Sequence, residues 1–422
     1  MKDETKCLRA GYTPKNGEPK VMPIVQSTTF RFDTVEDVAA VFDDPTLAYI
    51  YSRFANPTVD AVEKKIAALE GGVAAMCTSS GQAASMMSIL TICKAGDSFV
   101  ATSKIYGGTI NLFAVTLKRF GIECIFVDPD IDEKEAVKYF KPNTRAVFGE
   151  TLANPALAVL DIEKWARIAH SQGLPLIVDN TFPTPILCKP FEFGADIVVH
   201  STTKYMDGHA VQGGGVIVDS GNFDWTNGKF PEFTEADESY HGIVYTRDYG
   251  KLAYILKARM QLMRDFGCYP SAHSAFLLNM GLETLAVRME RYCDNALKVA
   301  KFFESHEMVE SVSYPALKGD RYHELAKKYL AKGSSGVISI DIKGGRANAS
   351  KFINSLKMAN NEVHVADICT CVLHPASETH RQLTDEQLVA AGINPATVRV
   401  SIGLENIDDI LDDFKNALDS IK

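Results

Sequence analysis

At 422 residues the chain is too long for one simple core and predicts one large domain with a smaller one. Its 44 Lys and Arg against 53 Asp and Glu leave a net charge of −9, spread without long basic runs. This argues against nucleic acid or an anionic membrane surface as the main partner. The charged opening MKDETKCLRAGYTPKNG lacks the apolar run of a secretion signal, and no later stretch approaches the length of apolar chain that spans a bilayer. A cytoplasmic protein is the expectation. Nine cysteines, an odd number in apolar contexts such as AAMCTSS, LTICKAG and IECIFV, suit reduced core thiols. Cys369 and Cys371 form a lone CxC with no second pair at metal-site spacing, so no metal is expected.

Residues 1–56, rich in Pro, Thr and aromatics (VMPIVQSTTFRFDT, YIYSRFANPT), are predicted to form an irregular arm. Tyr49, Tyr51 and Arg53 suit an interface with a neighbouring subunit better than a solvated tail. At Asn56-Pro57-Thr58 a capping start opens a helix, with Val59, Val62, Ile66 and Leu69 at helical spacing and Gly71-Gly72 as its stop. Strand and helix then alternate. Helix AASMMSILTICKAG leads to strand DSFVAT, helix NLFAVTLKRFG to ECIFVD, strand RAVFGE to helix IEKWARIAHSQG, and LPLIVDN to ADIVVHS. Short apolar strands alternating with amphipathic helices predict a mostly parallel sheet covered on both faces, with ligands beyond the C-terminal strand ends. After the strand GGGVIVDS, the aromatic-laced GNFDWTNGKFPEFTEADESYHG is expected to be an ordered excursion near the site mouth. Long helical patterns follow (TRDYGKLAYILKARMQLMRDFG, then SAFLLNMGLETLAVRMERYCDNALKVAKFFESH). The tail alternates again through GVISIDI, ANASKFINSLKMA, CTCVLH, ATVRVSIGL and IDDILDDFKNALDSI. The expected organisation is an arm over 1–56, a large domain over 57–269 and a smaller α/β domain over 270–422.

Chemistry concentrates at strand ends. ADIVVHSTTKYMDGH places Lys204 on a short hydroxyl-rich loop behind a buried strand. Such a lysine either snorkels to solvent or is held in a site, where desolvation makes its amine a nucleophile toward aldehydes. LPLIVDNT puts Asp179 directly after four apolar residues, as a cap or as a carboxylate with a cationic partner. In CTSSGQAASMM, Ser79, Ser80, Gly81 and Gln82 precede a helix and either cap it or line an anion site, to which Ser201 and Thr203 would add donors. An aldehyde that condenses with an amine, carries a phosphate and needs a carboxylate at its ring nitrogen is pyridoxal phosphate. No GxGxxG opens the first strand–helix unit, and Gly213-Gly214-Gly215 leads into a strand, so a dinucleotide is not supported.

The chain resembles the pyridoxal-phosphate enzymes of cysteine and methionine metabolism along essentially its whole length. The matching motifs are YSRFANPT, SSGQAA, YGGT, ETLANP, VDNTFPTP, HSTTKYMDGH, HPASETHRQL and VRVSIGLE. The resemblance implies a fold type I transferase, with a large domain built on a mostly parallel, seven-stranded type of sheet and a smaller C-terminal domain. It implies that Lys204 condenses with the cofactor and moves protons, while Asp179 holds the ring nitrogen. Gly81, Gln82, Ser201 and Thr203 would bind the phosphate, joined by Tyr51 and Arg53 from a partner subunit, in a dimer of dimers. Tyr106 would stack on the ring and assist the leaving group, Asn154 would contact the ring hydroxyl, and Arg399 would clamp the substrate carboxylate. Two positions depart from the wider family. Gln82 stands where methionine is usual, and His364 stands where many relatives have a carboxylate-binding serine, as a donor to the substrate or a packed bystander.

Within the family the methionine-degrading γ-lyase carries cysteine where this chain has Gly108. The runs HVADICTCVLHPASETHRQL, ESYHG and NMGLETLAVRME look like the O-acetylhomoserine sulfhydrylase branch. The implied reaction is γ-replacement on an activated homoserine ester by sulfide or methanethiol, with a protein-bound sulfur donor as a further option. The alternatives are a methionine or cystathionine γ-lyase, a cystathionine γ-synthase, or a non-catalytic protein that kept the fold.

Overall fold

The computed structural model describes all residues except 45, 380, 382–383 and 387–393. Of the HPASETHRQL motif, His380, Gln382 and Leu383 therefore lie outside the described residues.

Seven strands, β1 (Ala74–Thr78), β2 (Ser98–Thr102), β3 (Glu123–Val127), β4 (Thr144–Glu150), β5 (Leu176–Asp179), β6 (Ile197–His200) and β7 (Gly215–Asp219), form one sheet in the order β1-β7-β6-β5-β4-β2-β3. The strands β3, β2, β4, β5 and β6 run parallel, and β7 lies antiparallel to both β6 and β1. Because side chains alternate along a strand, each strand feeds two cores. Val147, Val178, Val198 and Val218 join helices Pro57–Glu70 and Ile162–Ser171 on one face. Phe148, Ile177, Val199 and Ile217 join helix Gly81–Leu90 and the helical runs 107–119 and 253–266 on the other.

Helix Pro57–Glu70 follows the sequence reading in detail. Asn56 caps it by accepting from Thr58 N, Pro57 occupies its first turn, and Gly71 closes it at φ +88°, a conformation favouring glycine. Two local expectations differ from the structure, and one strand was not foreseen. The arm contains two helices, Asp3–Arg9 and Val35–Asp43; Cys7 of the first is buried, and Thr34 caps the second by accepting from Asp37 N. Strand β1 gives little sequence signal, because Ala-Ala-Met-Cys-Thr is short and poor in β-branched residues, and it is recruited by β7. The excursion after β7 is anchored by its aromatics: Trp225, Phe230 and Phe233 are buried, with Trp225 stacked on Phe233 and Tyr254. Its first half is tied to the end of the sheet opposite Lys204, where Asn227 Nδ2 donates to Gly173 O (3.0 Å) and Lys229 Nζ to Gln172 O (2.6 Å). Aromatics spaced between turn residues read as loop along the chain and close into a cluster only in three dimensions.

A second sheet of five strands, β8 (Val309–Ser313), β9 (Val337–Ile342), β10 (Asn360–Asn361), β11 (Cys371–Leu373) and β12 (Thr397–Ser401), has the order β10-β11-β12-β9-β8. The long helix Leu285–Ser305 serves both units. Leu285, Met289 and Tyr292 enter the large core, whereas Ala296, Val299, Ala300 and Phe303 pack beneath the small sheet with Ile338, Ile340 and Phe414.

Candidate active site

Three neighbouring parallel strands end together, and each delivers a charged group. Glu150 closes β4 and pairs in register with Asp179, which closes β5; Asp179 in turn sits opposite Val199 of β6. Beyond β6 the chain turns tightly, with Lys204 N donating to Ser201 O (3.3 Å) and Gly208 N to Lys204 O (2.8 Å). This turn carries Lys204 just beyond the end of β6, with its amine facing His364. Burial, aided by the nearby Arg399 guanidinium, brings its pKa down to about 8. Its side-chain hydrogen-bond partner is His364 Nδ1 at 3.4 Å. The lysine is thus held in a site and does not snorkel to solvent.

Asp179 accepts from both the backbone N–H (3.0 Å) and the hydroxyl (2.5 Å) of Thr181, which fix its carboxylate. Burial pushes its pKa up, against those bonds and the His200 ring. Glu150 is raised further by burial and by the Asp179 charge, and accepts from Tyr106 N at 2.6 Å. Two buried carboxylates side by side call for a cation. Behind them His200 and Glu70, both fully buried, meet at 3.0 Å, with Asn180 Nδ2 donating to the other Glu70 oxygen at 3.2 Å. Glu150, His200 and Glu70 were not singled out from sequence. Glu150 carries the signal that marked Asp179, an acid closing a buried strand.

The residues expected to line an anion site fall at the start of helix Gly81–Leu90, capped by Ser80, whose Oγ accepts from Ala83 N. The first N–H groups of such a helix lack partners within it and face outward. A Cβ at Gly81 would lie 2.6 Å from Ser201 Cβ, so only glycine lets the loop after β6 come this close. Ser201 N donates to Thr181 Oγ1 (2.9 Å), and Thr203 Oγ1 exchanges hydrogen bonds with the N–H and carbonyl of Gly214. Gln82 Nε2 reaches Thr109 Oγ1 at 3.4 Å. A Cβ at Gly108 would lie 2.5 Å from Tyr106 Cε1 and 2.9 Å from Gln82 Nε2. Tyr106 itself presents a half-exposed ring at the start of helix Gly107–Asn111.

From the small domain, β12 contributes Arg399, 6% exposed. Its guanidinium donates to Asn154 Oδ1 (3.5 Å) and to the carbonyls of Val363 (3.2 Å) and His364 (2.8 Å). Burial lowers its pKa. Lys204, Asp179, Ser201, Gly81, Asn154, Arg399 and His364 are thereby linked through contacts, with Tyr106 attached through Glu150. Tyr51 and Arg53 stand apart. Arg53 lies over the rings of Tyr51 (5.2 Å) and Phe54 (5.7 Å), and its Nε is buried without a partner.

This donor set fits pyridoxal phosphate. A depressed amine would suit the aldehyde, the Asp179–Glu150 pair a protonated ring nitrogen, and the helix start with its glycine-width approach at Gly81 the phosphate.

Comparison with known proteins agrees. The chain is 44% identical to an O-acetyl-L-homoserine sulfhydrylase of Leptospira meyeri, with 100% of this chain and 97% of the relative covered. It is 46% identical to a homocysteine synthase of Schizosaccharomyces pombe, covering 99% and 98%. A solved structure from Campylobacter jejuni, described as an O-acetylhomoserine (thiol)-lyase and holding a pyridoxyl-lysine monophosphate, superposes with a TM-score of 0.95 at 37% identity, covering 99% of this chain and 100% of that one. The family described as Cys/Met metabolism PLP-dependent enzymes matches residues 4–419, nearly the whole chain, and this protein belongs to it.

Proposed function

We propose that the protein exchanges the acyloxy group of O-acetyl-L-homoserine for sulfide or methanethiol, giving homocysteine or methionine and acetate. The observation that carries the reading is the convergence of Lys204, Asp179 and Arg399 at one place, in a chain similar from end to end to sulfhydrylases and homocysteine synthases.

Bound pyridoxal phosphate supplies an electron sink for the carbon losing its proton. The chain's own groups do the rest. Asp179, fixed by Thr181, holds a proton on the ring nitrogen. The Gly81 and Gln82 N–H groups with Ser201 and Thr203 bind the phosphate, and Asn154 orients the ring hydroxyl. Lys204, with an amine that is neutral about half the time near pH 8, takes the α-proton and returns it further along the substrate chain. Tyr106 covers the ring and faces the departing acyl group. Arg399 holds the substrate carboxylate, for which its fork of donors is suited. His364 takes no part as a donor to that carboxylate in this reading, a view supported by its Nδ1 facing Lys204 and its Nε2 facing Asp367. Gly108 favours replacement over breakdown in this reading: any side chain there meets the Tyr106 ring and the Gln82 amide, so that wall stays open to the incoming sulfur.

Tyr51 and Arg53 complete the phosphate site of a second copy, so the active unit is at least a dimer, paired again as a tetramer. A cytoplasmic enzyme of methionine biosynthesis fits this chemistry. Within the described residues no helix is long and apolar enough to cross a membrane.

Incubation with O-acetylhomoserine and sulfide is expected to yield homocysteine and acetate, with the succinyl and phospho esters slower. Oxo acid and ammonia from methionine, with no homocysteine from the ester, would select the γ-lyase. Homocysteine only when a protein thiocarboxylate, or a protein persulfide together with a thiol reductant, replaces sulfide would assign the sulfur to a carrier protein.

A further inference from the structure

The segment between β10 and β11 bridges the carboxylate-binding side of the site and its amine. Its main chain is held from β12, where Arg399 donates to the carbonyls of Val363 and His364. It bends at Ala366, a non-glycine residue at φ +68°, whose N–H donates to Ser401 Oγ at 2.8 Å. It is pinned to the lysine turn by Ile368 N, which donates to Gly208 O at 2.8 Å. A left-handed alanine costs about 1 kcal/mol and persists only where its surroundings determine it. What this fixed segment presents to the site is the His364 ring.

Two different neighbours face the two ring nitrogens. Nδ1 lies 3.4 Å from Lys204 Nζ. Nε2 is buried with no aligned hydrogen bond, and lies 3.5 Å from Asp367 Oδ2. Asp367 is itself fixed, its other oxygen accepting from Cys369 N at 2.9 Å. A neutral imidazole has one donor and one acceptor nitrogen. With only a carboxylate facing Nε2 and only an amine facing Nδ1, the proton belongs on Nε2 and the lone pair of Nδ1 points at the lysine.

We propose that His364 is a positioning residue for Lys204: its Nδ1 accepts a hydrogen bond from the lysine nitrogen, and Asp367 holds the ring in the Nε2–H tautomer. The proposal deepens the reading given above and rests on its assignment of Lys204 as the cofactor lysine. The charged and titratable groups around the ring are Lys204 from the turn after β6, Arg399 from β12, Asp367 from its own segment and, at its carbonyl, the Cys371 thiol from β11. Burial and the two cations outweigh the single carboxylate and keep the imidazole below its ordinary titration range. The ring therefore stays neutral, and an acceptor, through the pH range in which the lysine nitrogen gains and loses its proton. A lysine that must reach two substrate carbons in turn gains from a fixed resting direction, which a bystander ring would not supply.

The test reads the holoenzyme by spectrophotometric titration, without ester or sulfur donor, following the pH at which the visible band of the lysine-bound cofactor changes form. Removing the acceptor in His364→Phe, or in His364→Leu should the larger ring disturb packing, destabilises the protonated lysine nitrogen. The transition is expected to fall by about one pH unit. His364→Gln, whose carbonyl replaces Nδ1 as acceptor, should titrate with the wild type. Asp367→Leu should move the transition the same way as His364→Phe and by less. Acceptor-free variants that titrate with the wild type, a glutamine variant that shifts as far as they do, or an Asp367→Leu variant that does not shift, each overturn the proposal. Lys204→Ala separates this from the underlying assignment. A visible band that survives in Lys204→Ala overturns both, whereas its loss together with an unshifted His364→Phe overturns the role of His364 alone.

Discussion

At the scale of single residues, the site depends on keeping groups away from their ordinary charge states. A lysine amine in water is almost wholly protonated at neutral pH; that of Lys204 is brought to about 8 by burial and by Arg399. The neutral amine is the reactive form, so its population rises steeply between about pH 7 and pH 9 and changes little above that. An amine-modifying reagent applied to the cofactor-free protein is expected to label Lys204 with a rate midpoint near pH 8, more than two pH units below surface lysines. A midpoint in the ordinary lysine range would show that the amine is solvated. Lys204 and Asp179 stood out in sequence because each is a charged residue beside an apolar strand, where a bland role costs free energy; Arg399 was picked out only through the family resemblance. Glu150 has the same signature yet was hidden inside a motif dominated by Asn154 and Pro155. The Glu70–His200 pair was illegible, since its partners lie 130 residues apart and meet only across the folded core.

At the scale of elements, the parallel strands and the capped helix Pro57–Glu70 were legible because hydrophobic period and punctuation agree there. Strand β1 and the stacked aromatics after β7 were not, because their stability comes from neighbours distant in the chain. The junction of β6 with helix Gly81–Leu90 shows how an element boundary becomes a binding device. Gly81→Ala forces a methyl group within 2.6 Å of Ser201 Cβ, on a loop already tied to Thr181. Overpacking of this kind costs about 1–3 kcal/mol, and the loop that yields is the one carrying Ser201, Thr203 and Lys204. Pyridoxal phosphate should bind Gly81→Ala about five- to a hundredfold more weakly, as read by titrating cofactor-free protein with cofactor, while far-ultraviolet circular dichroism stays unchanged. Retained affinity would mean that the helix start is not the phosphate site.

At the scale of the whole molecule, the arm is fastened to the large domain by a buried link. Arg259 donates to Phe54 O (2.6 Å) and to Glu63 Oε2 (2.7 Å), and Glu63 also accepts from Cys77 N. Arg259→Met leaves Glu63 buried without its cation and releases the residue next to Arg53. A loss of about 3 kcal/mol in denaturant unfolding is expected, together with weaker cofactor retention if Arg53 serves a neighbouring site. Mixed subunits decide that last point. Lys204→Ala and Arg53→Ala proteins, inactive separately, should on random reassociation recover about a quarter of wild-type activity if Arg53 acts across the interface, because half the dimers then hold one intact site. If Arg53 acts within its own chain, mixing restores nothing. The orphaned Nε of Arg53 is the feature that chain-by-chain reading could not have supplied.

Helix Leu285–Ser305 has a further consequence, for how the polypeptide can be divided. A shaft shared by two cores cannot be cut between them: Leu285 and Met289 belong to one and Val299 and Phe303 to the other, only a few turns apart. A fragment starting at residue 270 would expose Leu278, Leu282, Leu285 and Met289, all built to be dry, while the remainder would lose part of its own interior. The two units should therefore melt together, and neither is a module that could be transplanted. Arg399 on one unit and Lys204 on the other are thereby inherited, and lost, as one piece.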